Sequence, residues 1–398
     1  MAALAALTAT YGPPHWPASG AAPIVAEQVA VVESELPAIV PLFLCGGAYC
    51  AKYELDGQSF KGVVDTGSPF IMADGTCSIG DDGTETASSP WGCYRGQGRP
   101  SGLPDTDELY GGQDVGVQWR RGKFVLSQVR TAAVRPTMAI EDAIYGVVRT
   151  YVGKGGGGAL FLGLAKRRLP RIRPTFLEQT DIAALRFDFI ERRMEFSRSS
   201  LVPRTYNAIP VLDLRIAGAP VADYAARVKR IVVNGEVIAL DRPVVAVIDT
   251  GTTGLSVSDS LFDSGLLPPQ WREARIELAT ERGAPVALEA SIKRRRKNAP
   301  PRVAALPTNA EEFDEFPLIV SPVTVPWFDP GFGMEECADG EPFQCNGRPI
   351  GQKRSLVDDL RWRSLGLGPA PHVLFVGLAF LWQRRLTIDV DAMRMMIE

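Results

Sequence analysis

The decapeptide KGVVDTGSPF, Lys61 to Phe70, decides how the rest of the chain is read. Val63 and Val64 run directly into Asp-Thr-Gly-Ser, the pattern of a strand that ends in a turn. Asp, Gly and Ser are ordinary turn residues, so Asp65 alone establishes only a turn. The stretch gains a second meaning because it recurs: VVDTGS at 63–68 is matched by VIDTGT at 247–252. ALFLGLA at 159–165 is likewise matched by VLFVGLA at 373–379. In both halves the Asp element comes first and the apolar-Gly element second, which predicts two homologous halves. The second interval is longer by one large loop.

Bulk composition fits that division. A chain of 398 residues is too long for one small core. Its net charge of −3 argues against a general nucleic-acid binder, whose domain would be strongly basic. The 39 glycines and 31 prolines predict many turns and short strands. No apolar run reaches the length of a membrane span; HVLFVGLAFLW, 372–382, is predicted as a buried strand.

Local patterns predict mostly β-structure. CAKYELDGQSFKGVVDTG, 50–67, is a hairpin turning at Asp56-Gly57, and VKRIVVNGEVIAL, 228–240, is another turning at Asn234-Gly235. GVQWRRGKFVLSQVRTAAV, 116–134, is predicted as two strands around Arg121-Gly122. Helices are few and short: PTFLEQTDI at 174–182, SDSLFDSG at 258–265 and KRSLVDDLRWRS at 353–364. The predicted division is an N-terminal extension or propeptide remnant over 1–40, a first lobe over 41–196 and a second over 197–398. Residues 284–312 and 329–370 are the predicted insertions of the second lobe.

Six cysteines fall as three short-range pairs, Cys45 with Cys50, Cys77 with Cys93, and Cys337 with Cys345. An even count in Gly-rich loops favours disulfides and an oxidising compartment, against six reduced thiols in a cytosolic protein. The alanine-rich N-terminus makes a poor secretory signal, because no Lys or Arg precedes its apolar core. With only His15 and His372 and no CxxC repeats, a zinc site is not expected. A Ser-His-Asp centre is set aside as well, since His372 opens an apolar strand with no matched acid or nucleophile. KRRRK, 293–297, reads as a solvated insertion loop rather than a nuclear-localisation signal. GKGGGGA, 153–159, lacks the Lys-Ser/Thr ending of a phosphate loop.

The paired VVDTGS and VIDTGT motifs, with the two apolar-Gly segments, make the chain similar to the pepsin-like (A1-type) aspartic proteases, over roughly residues 40 to 398. The resemblance implies a mainly β, bilobal fold of two β-barrel-like lobes around a central cleft. It makes Asp65 and Asp249 the catalytic pair, with Thr66, Gly67, Ser68, Thr250, Gly251 and Thr252 supporting their loops. Gly163 and Gly377 would pass beneath those loops. DELYGG, 107–112, is similar to the family's flap hairpin, giving Tyr110 and Gly111 a place over substrate. Cys77 and Cys93 look like the family's disulfide-closed loop. The sequence departs from the family at Pro69-Phe70-Ile71-Met72, in lacking the tryptophan often found just beyond, and at Gly158 and Leu378.

The chemistry follows from the residue types. Two carboxyls held within hydrogen-bond distance cannot both ionise, so they share one proton. One then acts as base on a water while the other polarises a peptide carbonyl. The expected activity is that of an aspartic endopeptidase acting on an extended polypeptide. It needs no metal or organic cofactor, and the chain would be a monomer without nucleic-acid partners. The expected address is secreted, endomembrane or vacuolar, or another oxidising organelle lumen. The competing expectation is a binding, inhibitor-like or scaffold protein on the same fold, whose cleft holds a partner uncut.

Overall fold

The computed structural model describes residues 31–32, 37–45, 47–76, 92–96, 98–110, 113–130, 133–152, 161–170, 172–292, 316, 318–323, 325, 362–368 and 370–398. At 31–32, 109–110, 113–114, 127–130, 133–137 and 151–152 only the backbone course is described. The architecture is mainly β, in several sheets. One ten-stranded sheet draws all its strands from residues 31–163, and one eight-stranded sheet draws all of its own from 225–376. A six-stranded sheet joins the two: Ala38–Pro41, Ala184–Asp188 and Arg193–Ser197 lie in one sheet with Ile209–Pro210, Arg385–Asp389 and Arg394–Ile397.

Both Asp motifs end a strand that pairs in parallel with its apolar-Gly segment. Gln58–Asp65 pairs with Phe161–Gly163, setting Gly163 opposite Asp65. Val244–Ile248 pairs with His372–Val376, setting Ile248 opposite Val376. In the second half both strands, VVAVI and HVLFV, are buried throughout. A strand covered on both faces reads as an unbroken β-branched and apolar run rather than an alternation. In the second half such strands give the carboxyl that follows them a base packed on both faces.

The tight turns form where the sequence predicts them. Asp56 and Gly57 take φ of 50° and 78°, and Asn234 and Gly235 take 53° and 84°. Two consecutive left-handed residues are what a two-residue hairpin requires, and Asp-Gly and Asn-Gly supply them at low cost. The segment 116–134 differs from expectation. Gln113–Arg130 is one continuous strand, with no turn at Arg121-Gly122. Gly122 is there for space: a Cβ would come within 2.0 Å of the Asp56 carboxylate, which accepts a hydrogen bond from Lys123 N at 2.9 Å. Glycine inside a strand marks such a close approach as readily as it marks a turn.

HVLFVGLAFLW also differs from the single strand expected. The strand stops at Val376 and a helical turn follows over Leu378–Leu381. Leu378 N and Ala379 N donate to Thr252 O and Thr253 O at 2.9 and 2.8 Å, so the second Asp loop takes the amides that a continuing strand would have used. The other predicted helices are a 3₁₀ turn over Leu177–Gln179 and a helical turn over Asp259–Phe262. Of 353–364, only 362–364 lie among the described residues, and they are helical. Cys45 and Cys50 are joined by a disulfide across the hairpin of Phe43–Cys45 and Ala48–Leu55. Cys93 is also disulfide-bonded. Cys77, Cys337 and Cys345 lie outside the described residues, as do 153–159 and KRRRK at 293–297.

Gly163 and Gly377 underlie the two Asp loops at backbone contact. A Cβ on Gly163 would lie 2.4 Å from Phe70 N, and one on Gly377 would lie 2.1 Å from Thr252 O. Backbone on both sides cannot step aside, so Gly163→Ala and Gly377→Ala should each lower stability by about 1–3 kcal/mol or more. Urea unfolding should show a lower midpoint with unchanged slope; an unchanged midpoint would contradict the packing described.

Candidate active site

Asp65 and Asp249 are both buried, at 0 and 1% exposure, and their carboxyls are close enough that each acts on the titration of the other. Each is held in the same way by its own turn. Gly67 N and Ser68 Oγ donate to Asp65 at 2.8 and 2.6 Å; Gly251 N and Thr252 Oγ1 donate to Asp249 at 2.8 and 2.7 Å. The glycines are required by crowding across the pair. A Cβ on Gly67 would sit 2.8 Å from Asp249 Cγ, and one on Gly251 would sit 2.5 Å from Asp65 Cγ.

The threonines cross between the two turns. Thr66 Oγ1 donates to Ile248 O at 2.7 Å and accepts from Thr250 N at 3.0 Å. Thr250 Oγ1 donates to Val64 O at 2.6 Å and accepts from Thr66 N at 3.1 Å. All four bonds are buried, and each hydroxyl satisfies one amide and one carbonyl of the opposite half. The symmetry of the sequence motifs is thus a symmetry of contacts.

Burial pushes the Asp65 carboxyl well above its ordinary range, and the neighbouring Asp249 pushes it further, against the lowering effect of its donors. Burial raises Asp249 too, opposed by Thr252, Asp65 and the Gly251 and Thr252 amides. The pair therefore keeps a proton at pH values where ordinary aspartates are ionised, and that proton belongs to the pair. Such a site can take a proton from one bound group while giving one to another.

The proposed flap is described only in part. Strand Thr106–Tyr110 pairs antiparallel with Gln113–Arg130, closing between Tyr110 and Gln113. The Tyr110 side chain and Gly111 lie outside the described residues. At the base of this hairpin the structure contains a cluster that sequence reasoning missed. Arg173 and Glu108 form a buried ion pair, and Thr106 Oγ1 donates to Glu108 at 2.7 Å while accepting from Trp119 Nε1 at 2.9 Å. The Arg173 guanidinium stands 4.1 Å from the Trp119 ring and 4.9 Å from Phe70, whose own ring meets Trp119 edge-on at 5.0 Å. Phe70 belongs to the divergent tail after the first motif, and Trp119 brings an indole to it from another strand. No local spacing signals this arrangement, because its members come from three distant segments.

His372 requires a correction. It is fully buried, with Nε2 2.8 Å from Asp241 Oδ1 and Nδ1 3.0 Å from Ser260 Oγ, so both an acid and a hydroxyl are matched to it. Neither was legible, since both lie more than a hundred residues away. With the ring inaccessible, the trio ties the strand His372–Val376 to its surroundings.

Asp223 is the other omission. It is 4% exposed and precedes the strand Ala225–Val233. Among the described residues, no group of three or more His, Cys, Asp or Glu side chains is placed to hold a metal ion. Nor is any helix there long and apolar enough to cross a membrane. Comparison with known proteins returns no matching family model and no similar curated protein, so the reading of the site rests on its geometry.

Raised carboxyl pKa values fix the sign of a stability change. Above an unfolded value near 3.8, the folded chain binds more protons than the unfolded one. The favourable contribution is complete below that value and is lost as pH rises through the raised folded values. Stability should therefore fall as pH rises from about 4 toward neutrality, less steeply in Asp65→Asn than in the wild type. Urea titrations at a series of pH values will show it; parallel slopes would contradict a raised Asp65.

Proposed function

We propose that the protein is an aspartic endopeptidase with the pepsin-like bilobal fold, in which Asp65 and Asp249 act together on a water held between them. The observation that carries this reading is the buried, closely apposed carboxyl pair inside two identically built Asp-Thr-Gly turns. The parallel Asp and Gly strands on each side, and the sheet that joins the two halves, fit the same assignment.

In the proposed reaction the ionised carboxylate takes a proton as the water oxygen attacks the peptide carbonyl carbon. The protonated partner gives its proton to the carbonyl oxygen, leaving a neutral tetrahedral diol. Collapse then breaks the C–N bond: the departing nitrogen takes the proton of the protonated carboxyl while one diol hydroxyl gives its proton to the ionised carboxylate, so the pair returns to its singly protonated state. The Thr66–Thr250 lattice fixes the two turns against each other, so little reorganisation is needed during the step. Substrate would lie extended between the halves, beneath the hairpin closing at Tyr110–Gln113. A monomer suffices, because both carboxyls come from one chain. The Cys45–Cys50 disulfide fits an oxidising compartment.

The test is incubation with an unfolded polypeptide from pH 3 to 7. Cleavage should follow a bell-shaped pH profile, falling when both carboxyls are protonated and again when both are ionised. Asp65→Asn and Asp249→Asn should each lower the rate by at least about 10²–10⁴-fold while retaining a cooperative melt. Cleavage by either variant at the wild-type rate would overturn the mechanism. An intact substrate at every pH would leave the cleft as a binding site.

A further inference from the structure

A third carboxyl stands next to the pair. Strand Ala225–Val233 runs antiparallel to Val244–Ile248 with Ala225 opposite Val247. The pairing continues one step further, since Ile248 N donates to Tyr224 O at 3.0 Å. Asp223 and Asp249 are the next residue on each side of that contact. Ala225 N donates to Asp223 O at 2.8 Å, so the chain turns at Tyr224 instead of running on as a strand. Asp223 is thereby held beside Asp249, whose charge acts on its carboxyl.

Its surroundings are unusual for a buried acid. The carboxyls of Asp65 and Asp249 each accept a backbone amide and a hydroxyl, whereas the Asp223 side chain makes no hydrogen bond or ion pair with any described residue. It is nonetheless 96% withdrawn from solvent, its exposure being 4%. The backbone on either side is fully engaged: Ala222 N donates to Arg167 O at 2.7 Å, and Tyr224 Oη donates to Leu164 O at 2.5 Å. Asp223 is thus fixed in the seam between the halves, at the root of the first apolar-Gly segment. Burial and the field of Asp249 both push its carboxyl well above the ordinary range. Its oxygens are not among the fully enclosed side-chain atoms that lack a partner, so the carboxyl keeps a narrow opening to solvent, while its burial carries the desolvation cost of a largely enclosed acid.

We infer that Asp223 is a specificity-determining residue that receives a basic side chain, lysine or arginine, of a peptide lying against the Asp249 side of the dyad. The incoming cation supplies the partner the carboxyl lacks, and Asp223 ionises as it arrives. An acidic side chain at the same position meets two carboxyls and is rejected. The inference rests on the peptidase reading for its substrate class, but its test does not depend on turnover alone.

Wild type is first given a peptide library, and the residues around the cut bonds are counted. Lysine or arginine should be enriched, and aspartate or glutamate depleted, at one fixed position relative to the cut. Peptides differing only there, as lysine, norleucine or glutamate, are then compared on wild type and on Asp223→Asn and Asp223→Ser, each checked by thermal melt. The ratio of kcat/KM for lysine over norleucine should fall at least about tenfold in both variants, and glutamate should rise relative to norleucine. Unchanged ratios, or no basic preference in wild type, would overturn the inference. If wild type cuts nothing, the peptidase reading fails separately, and the same peptides are compared by fluorescence anisotropy for binding. A lysine preference lost in Asp223→Asn would then sustain the role of Asp223, and equal binding of the three peptides would end it.

Discussion

The crossed hydrogen bonds of Thr66 and Thr250 are the constraint on which the site depends. They are the means by which two turns nearly two hundred residues apart are held at a fixed separation. Each threonine hydroxyl uses its proton on one carbonyl and a lone pair on one amide of the other half, so loss of either orphans two buried groups. A typical hydrogen bond contributes only about 0.5–1.5 kcal/mol net, yet an orphaned buried partner costs about 1–3 kcal/mol. The lattice is therefore worth more as a penalty against misalignment than as a sum of attractions. Glycines at 67 and 251 follow from it, because turns brought this close leave no room for a Cβ between one chain and the facing carboxyl.

Holding the carboxyls there works against stability. Both are withdrawn from water and face each other, and burial favours their neutral forms. The Gly67 and Gly251 amides and the Ser68 and Thr252 hydroxyls offset part of this by donating to the carboxyls. A shared proton removes most of the remaining repulsion, and it is the same proton the proposed chemistry moves. Asp223 adds a further unfavourable group without donors of its own. Local instability concentrated in one seam, beside strands such as Val244–Ile248 and His372–Val376 that are buried throughout, is the expected mark of a functional site.

Much of this was legible because it is repeated. The duplicated Asp-Thr-Gly and apolar-Gly segments led to Asp65, Asp249, their supporting residues and the mainly β architecture, and both two-residue hairpin turns form as predicted. What escaped reading depends on contacts between distant segments. Gly122 looks like a turn glycine until the Asp56 carboxylate is placed against it. HVLFVGLAFLW looks like one strand until the second Asp loop takes the amides after Gly377. His372 had no visible partners, and the Arg173–Glu108 pair with Trp119 and Phe70 assembles from three separate stretches. Asp223 becomes notable only when the contact of Tyr224 O with Ile248 N brings it beside Asp249.

On this geometry Asp65 and Asp249 should hold one proton between them. Carbon-13 NMR of aspartate-labelled protein, titrated through the acid and neutral range, observes those carboxyls without requiring any substrate. Two widely separated steps belonging to the pair are expected, with the upper one lying above the ordinary aspartate range. Asp65→Asn or Asp249→Asn should collapse them into a single step. Two independent transitions near 4 in the wild type, unaffected by replacing the partner, would contradict the shared proton.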